Sequence, residues 1–223
     1  MTKFRDHRPY HLYEGRFYFI TGRFLKDCSL QMDDRKKRIF QSVLARVSRE
    51  LRVGILAWVV LDNHYHMICD FGIYGALEGH EPMGAVSHVG SPGELTFATP
   101  PGPLTGERAS AAGFDKRRSL LSRFVRRIHS NTTRLFNVID KNPGRRLWYQ
   151  YWDYCIRNIP DYWKHFNYIV QNPFKHGLAS SLYDAYRYPH SSNSVWFARL
   201  GAFGLWESFV IYPVKEWEPS GSV

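Results

Sequence analysis

Residues 55–61 and 64–71 are two apolar runs with only Asp62-Asn63 between them, and this pair constrains the fold more than any other stretch. Asp and Asn both tolerate turn geometry and bond to nearby backbone, so the dipeptide fits a tight hairpin. The chain is therefore expected to build an antiparallel sheet, with His64, Tyr65 and His66 opening the second strand of that hairpin. Alternate strand residues point to one face, so His64 and His66 project together. Two adjacent imidazoles make half of a metal site. Taken alone, such a pair is more often just two surface histidines.

The flanking sequence supplies the rest of a sheet-and-helix domain. Residues 17–25 are aromatic and β-branched, which predicts a strand. Over residues 33–52, Ile39, Phe40, Val43, Leu44, Val47 and Leu51 form one apolar stripe, and Asp33 and Asp34 stand where negative charge suits a helix start. Arg35, Lys36, Lys37 and Arg38 read as the solvated face of that helix. A second helix is predicted over residues 115–137, with Leu120, Leu121, Phe124, Val125, Ile128, Leu135 and Phe136 along one side. Residues 147–156 are aromatic enough for another strand. Pro160 then sits well in the first turn of a helix. That helix is expected to end near Asn172, because Pro173 disfavours helical geometry in the residue before it.

The order is strand, helix, strand, strand, helix, strand, helix. Its first six elements match the ferredoxin-like pattern. The expected class is α+β: a ferredoxin-like antiparallel sheet with helices, plus an additional C-terminal helix. Residues 1–223 read as a single domain, with a C-terminal extension after about residue 190. Residues 73–113 are rich in Gly, Pro, Ser, Ala and Thr and read as a flexible insertion.

The last helix carries Tyr168 and Asn172, which lie four residues apart and so share a face. A lone tyrosine in a helix is usually packing, and Asn before Pro is usually a helix end. A phenol and an amide one turn apart, in a chain that also carries a histidine pair, instead suggest tyrosine attack on a phosphodiester. The charge agrees with such a substrate. Lys and Arg number 30 against 20 Asp and Glu, a net charge of +10, which favours a polyanionic partner. The aromatic share of 16% offers base stacking on single strands, although most of these rings are expected in the core. Arg117, Arg118, Arg123, Arg126 and Arg127 on the 115–137 helix are candidates to track a phosphate backbone. Lys164, one turn before Tyr168, is a further DNA-binding candidate and could help activate the phenol; a plain surface lysine is the alternative. The three cysteines have no paired spacing, which fits reduced thiols in the cytoplasm. No run is apolar enough to span a bilayer, so no membrane partner is expected.

Several motifs, in order, resemble the HUH single-tyrosine transposases and most closely the REP-associated tyrosine transposases. Tyr18-Phe19-Ile20-Thr21-Gly22-Arg23 is similar to their first strand, and Asp62-Asn63-His64-Tyr65-His66 to their histidine motif. Tyr65 departs from the usual aliphatic middle residue. Gly144-Arg145-Arg146-Leu147-Trp148-Tyr149-Gln150 and Ile156-Arg157-Asn158 resemble the next block. Tyr168 through Pro173, with Lys175-His176-Gly177-Leu178, resembles the catalytic helix and its exit; Tyr188-Pro189-His190-Ser191-Ser192 resembles a short later motif. The 73–113 insertion is longer than expected for the family.

The resemblance implies that His64, His66 and, as an oxygen ligand, Asn172 bind a divalent ion, Mg²⁺ or Mn²⁺. It implies Tyr168 as nucleophile, forming a 5′-phosphotyrosine and a free 3′-hydroxyl on single-stranded DNA near hairpin, REP-like sequences. It also implies a bacterial, nucleoid-associated protein. Mobile relatives are dimers that exchange catalytic helices, whereas REP-associated ones are better suited to act as monomers. The competing reading is a non-catalytic nucleic-acid-binding module on a ferredoxin-like sheet, with idle histidines.

Overall fold

A computed structural model describes residues 17–71, except 27 and 29, and residues 111–214, with side chains from residue 120 onward in the second stretch. Residues 73–110 of the expected insertion lie outside the described residues.

The elements run β1 (Phe17–Arg23), α1 (Asp34–Leu51), β2 (Gly54–Val60), β3 (His64–Asp70), α2 (Ala111–Ile139), β4 (Trp152–Cys155), α3 (Ile159–Lys175), α4 (Leu182–Ala185) and α5 (Asn193–Ile211). They form an α+β fold around one four-stranded sheet of order β2-β3-β1-β4. Every strand pair is antiparallel, which is the ferredoxin-like arrangement.

Alternation along the strands sorts side chains to two sides. Ile20, Tyr65, Met67 and Cys69 enter a core with α1 and α2. Phe17, Phe19, Val59 and Ile68 enter a second core with α3 and α5. Their sheet neighbours His64 and His66 have the same parity as Ile68 and therefore face the α3 side.

The larger Tyr65 is accommodated by a gap opposite it. Gly22 pairs with Tyr65 across the β1–β3 ladder, and a Cβ on Gly22 would clash with the edge of the Tyr65 ring and its hydroxyl. The Tyr65 hydroxyl meets His129 Nε2 at 2.9 Å. Gly22→Ala is expected to destabilise the protein by about 3 kcal/mol through overpacking. Thermal unfolding checks this: the double variant Gly22→Ala/Tyr65→Leu should recover part of the loss, and additive losses would show the two sites are uncoupled.

Several sequence expectations change. Lys36 and Lys37 are not solvated: both are buried, with Lys36 Nζ 2.9 Å from Asp140 and Lys37 Nζ 2.7 Å from Asp62. Their apolar stems cover the core while each charge reaches a carboxylate. The strand expected over 147–156 is split. Trp148 bridges Phe24, its ring enters the α1–α2 core, and regular pairing resumes only at Trp152. Helix α2 begins at Ala111, inside the tail of the expected insertion.

Helix α3 also passes through Pro173 and ends at Lys175. A proline in the last turn forfeits one helical hydrogen bond without stopping the chain. The stop is Gly177 at φ +69°, where Gly177 N–H donates to Phe174 O at 3.0 Å and Leu178 N–H to Pro173 O at 2.8 Å. Such a left-handed residue closes a helix end with little strain only as glycine.

The extension after residue 190 is structural. Val59 bridges Ser191, and Val60 N–H donates to His190 O at 2.8 Å, so this segment covers the free edge of β2. His190 Nε2 also meets Asp34 Oδ1 at 2.8 Å, tying the segment to α1.

Candidate active site

Strand β3 and helix α3 build the site together. Asn158 caps α3 by accepting from Asp161 N–H at 2.9 Å, and Pro160 follows in the first turn. This fixes where the helix begins, and so which residues face the sheet. Tyr168 and Asn172 then lie on its buried side, 4% and 0% exposed.

The imidazoles of His64 and His66 are neighbours, with ring centroids 5.0 Å apart. His66 stacks on Phe19 at 5.5 Å, and its Nδ1 meets the Thr21 hydroxyl at 2.8 Å. Its Nε2 is buried without a hydrogen-bond partner. His64 Nδ1 meets Asn63 Oδ1 at 2.6 Å. An amide oxygen only accepts, so Nδ1 carries the proton and Nε2 holds the lone pair. Burial, then the nearby His176 and Arg23, push His64 down to about 3. Burial also holds His66 well below the ordinary histidine range, with His64, His176 and Lys175 adding to the effect. Both rings are therefore neutral near pH 7, the state a metal ligand requires.

Asn172 lies against His64 closely enough to favour that ring's charged form. Yet neither its Oδ1 nor its Nδ2 makes a hydrogen bond of good geometry, although both are buried. Tyr168 presents its ring edge-on to His66 at 5.1 Å and to Phe19 at 6.0 Å. The structure thus brings His64, His66, Tyr168 and Asn172 to one place. Among the described residues, no group of three His, Cys, Asp or Glu side chains is arranged to hold a metal.

The solved structure of a REP-associated tyrosine transposase bound to a REP hairpin aligns with 98% of this chain and 92% of its own, at TM-score 0.51 and 22% identity. This chain has the fold of that transposase. No protein-family profile and no curated protein sequence matches it.

On this transposase fold, two residues that the sequence motif included without a role join the site. Lys175 Nζ lies 5.6 Å from the Tyr168 ring centroid, and the His176 ring lies 4.8 Å from that of His64. Both are carried there by the extra turn of α3 beyond Asn172. Lys164, by contrast, is exposed, and the cation over the Tyr168 ring is Lys175.

The arginine candidates lie elsewhere. Arg123, Arg126 and Arg127 are exposed on α2, which packs on the opposite side of the sheet from Tyr168. Arg127 is engaged by Glu50 at 2.6 Å. Arg117 and Arg118 fall in α2, but their side chains lie outside the described residues. Among other tyrosines, Tyr154 donates to Asp161 at 3.1 Å and is pushed up to about 12, first by burial and then by that carboxylate. Burial likewise raises Tyr162. No helix among the described residues is long and apolar enough to cross a membrane.

Proposed function

We propose that this chain is a metal-dependent single-stranded DNA endonuclease and strand transferase, acting through Tyr168 next to hairpin, REP-like sequences. The observation that supports this most is the meeting of unsatisfied groups. His66 Nε2 is buried without a partner, neither polar atom of Asn172 makes a hydrogen bond of good geometry although its side chain lies against His64, and the Tyr168 ring adjoins His66. Each such orphan costs about 1–3 kcal/mol. A ligand that engages them in the working state accounts for their retention.

A divalent ion fits this donor set: the Nε2 atoms of His64 and His66 with Asn172 Oδ1. Mixed imidazole and oxygen donors suit Mn²⁺, and Mg²⁺ is compatible. Such an ion, when bound, polarises a phosphoryl oxygen as a Lewis acid. The covalent work belongs to Tyr168. Its Oη attacks the phosphorus in line and gives up the phenolic proton. The Oη–P bond forms as the P–O3′ bond breaks. The electron pair stays on O3′, which takes a proton and leaves as a 3′-hydroxyl. The product is a 5′-phosphotyrosine. Another 3′-hydroxyl can reverse the exchange, so joining needs no ATP. Lys175, with its Nζ 5.6 Å from the Tyr168 ring centroid, places positive charge beside the attacking group. The choice of a hairpin-bearing substrate is supported by the structural relative, which is bound to a REP hairpin.

A labelled hairpin-bearing single strand incubated with Mn²⁺ tests the reading on a denaturing gel. A protease-sensitive covalent band, lost in excess chelator, is expected. Tight binding with no covalent band under Mn²⁺ or Mg²⁺ would leave only a binding module.

Asn172 allows a separate check. Asn172→Leu keeps the shape and removes two buried polar atoms that make no hydrogen bond of good geometry. It is expected to raise stability by about 1–2 kcal/mol while cleavage collapses. A loss of stability on denaturant unfolding would instead make Asn172 a structural residue.

A further inference from the structure

We propose that a groove on the α2 side of the sheet is a second binding site, which holds single-stranded DNA away from the point of cleavage. This rests on the reading of the chain as a single-stranded DNA enzyme. The groove encloses about 930 Å³ between the C-terminal half of α2 and the segment that follows it. Arg126, Arg134, Lys141 and Arg146 line it, and none of its lining residues is acidic. Neighbouring cations are committed differently: Arg127 pairs with Glu50 and Arg145 with Asp140, each at 2.6 Å. The groove therefore gathers positive charge where the adjoining surface neutralises it.

Its wall is aromatic and braced. Trp148 stacks on His129 at 4.4 Å with the planes 5° apart, and its Nε1 donates to Thr132 Oγ1 at 2.9 Å. Tyr149 follows, held by its N–H to Arg23 O at 2.9 Å, yet 51% exposed. The turn between α2 and this wall is fixed by Asn137, whose Nδ2 donates to Arg145 O at 2.8 Å and whose Oδ1 accepts from Arg145 Nε at 3.1 Å. An exposed ring on an anchored backbone among cations matches a polymer whose repeat carries both a phosphate and a flat base. An acidic peptide supplies the charge without the flat faces, and a duplex hides its base faces. Because Tyr168 lies on the other side of the sheet, the groove binds flanking DNA and not the scissile phosphate.

Anisotropy titrations of a fluorescein-labelled thymidine oligonucleotide, all in a Tyr168→Phe background, test this without interference from cleavage. Arg134→Glu/Arg146→Glu should weaken binding at least about tenfold, and the slope of log K against log salt should become shallower by about 0.7 for each phosphate no longer neutralised. Tyr149→Ala should weaken it roughly tenfold with the slope unchanged. These side chains are exposed, so melting temperatures should hold; if the double variant misfolds, Tyr149→Ala decides. Binding within about twofold of the parent in the folded variants overturns the proposal. So does an equal loss for a polyglutamate peptide, or tighter binding of the matching RNA. A wild-type covalent adduct with unaffected groove variants would sink the groove and keep the enzyme; weakened groove variants without any wild-type adduct would do the reverse.

Discussion

Tyr168→Phe is expected to lower strand cleavage by at least about ten-thousandfold and to abolish the covalent adduct, with DNA binding retained. The change removes one oxygen and leaves the ring against His66 and Phe19, so packing barely alters. The same substitution at Tyr149, Tyr151, Tyr154 or Tyr162 should be far milder. Tyr154 already donates its phenol to Asp161, and Asn158, four residues after it, lies beyond the strand and caps α3; Tyr149 stands on the other side of the sheet, and neither Tyr151 nor Tyr162 has an amide four residues on. Quantitative cleavage assays with a circular-dichroism check of the fold separate these cases. A Tyr168→Phe protein that still nicks DNA at a measurable fraction of the parental rate would remove Tyr168 from the chemistry.

His66→Ala should lower Mn²⁺- or Mg²⁺-dependent cleavage about a thousandfold or more. His66 is the better test of the pair because its Nε2 has no other use within the described protein, while Nδ1 is held by Thr21. Loss of the ring also opens space beside Phe19, so a modest drop in melting temperature is expected while the fold survives. The measurement is cleavage across a Mn²⁺ titration. Parental activity at saturating Mn²⁺, or in excess chelator, would show that these imidazoles are not ligands.

How much of this was legible in the sequence depended on the kind of signal. Asp62-Asn63 between two apolar runs specified the hairpin, and period two then placed His64 and His66 on one face. Period 3.6 placed Tyr168 and Asn172 together on α3. Local patterns of this kind survive folding because each is set by one backbone geometry. The readings that failed depended on partners far along the chain. Lys36 and Lys37 look like a solvated face until Asp140 and Asp62 arrive to neutralise them. Pro173 looks like a stop because the next available terminator, Gly177, is a full turn later. That error left Lys175 and His176, quoted only as part of a motif, without a role; the longer α3 and its C-cap bring them over the site. Helix α5 offered no stripe to read, since Trp196, Phe197, Phe203, Trp206 and Ile211 surround it on several sides and Gly201 interrupts its geometry. The α2 arginines were read from charge alone, which carries no information about which side of the sheet they occupy.

The central claim is that Tyr168 forms the covalent link to DNA, and one measurement addresses it directly. The adduct formed with a hairpin-bearing single strand in Mn²⁺ is trapped, digested with nuclease and protease, and sequenced by mass spectrometry. The account predicts a single modified peptide from α3, with a 5′-phosphate on Tyr168. A nucleotide on any other tyrosine, or attached through a 3′-phosphate, would contradict it.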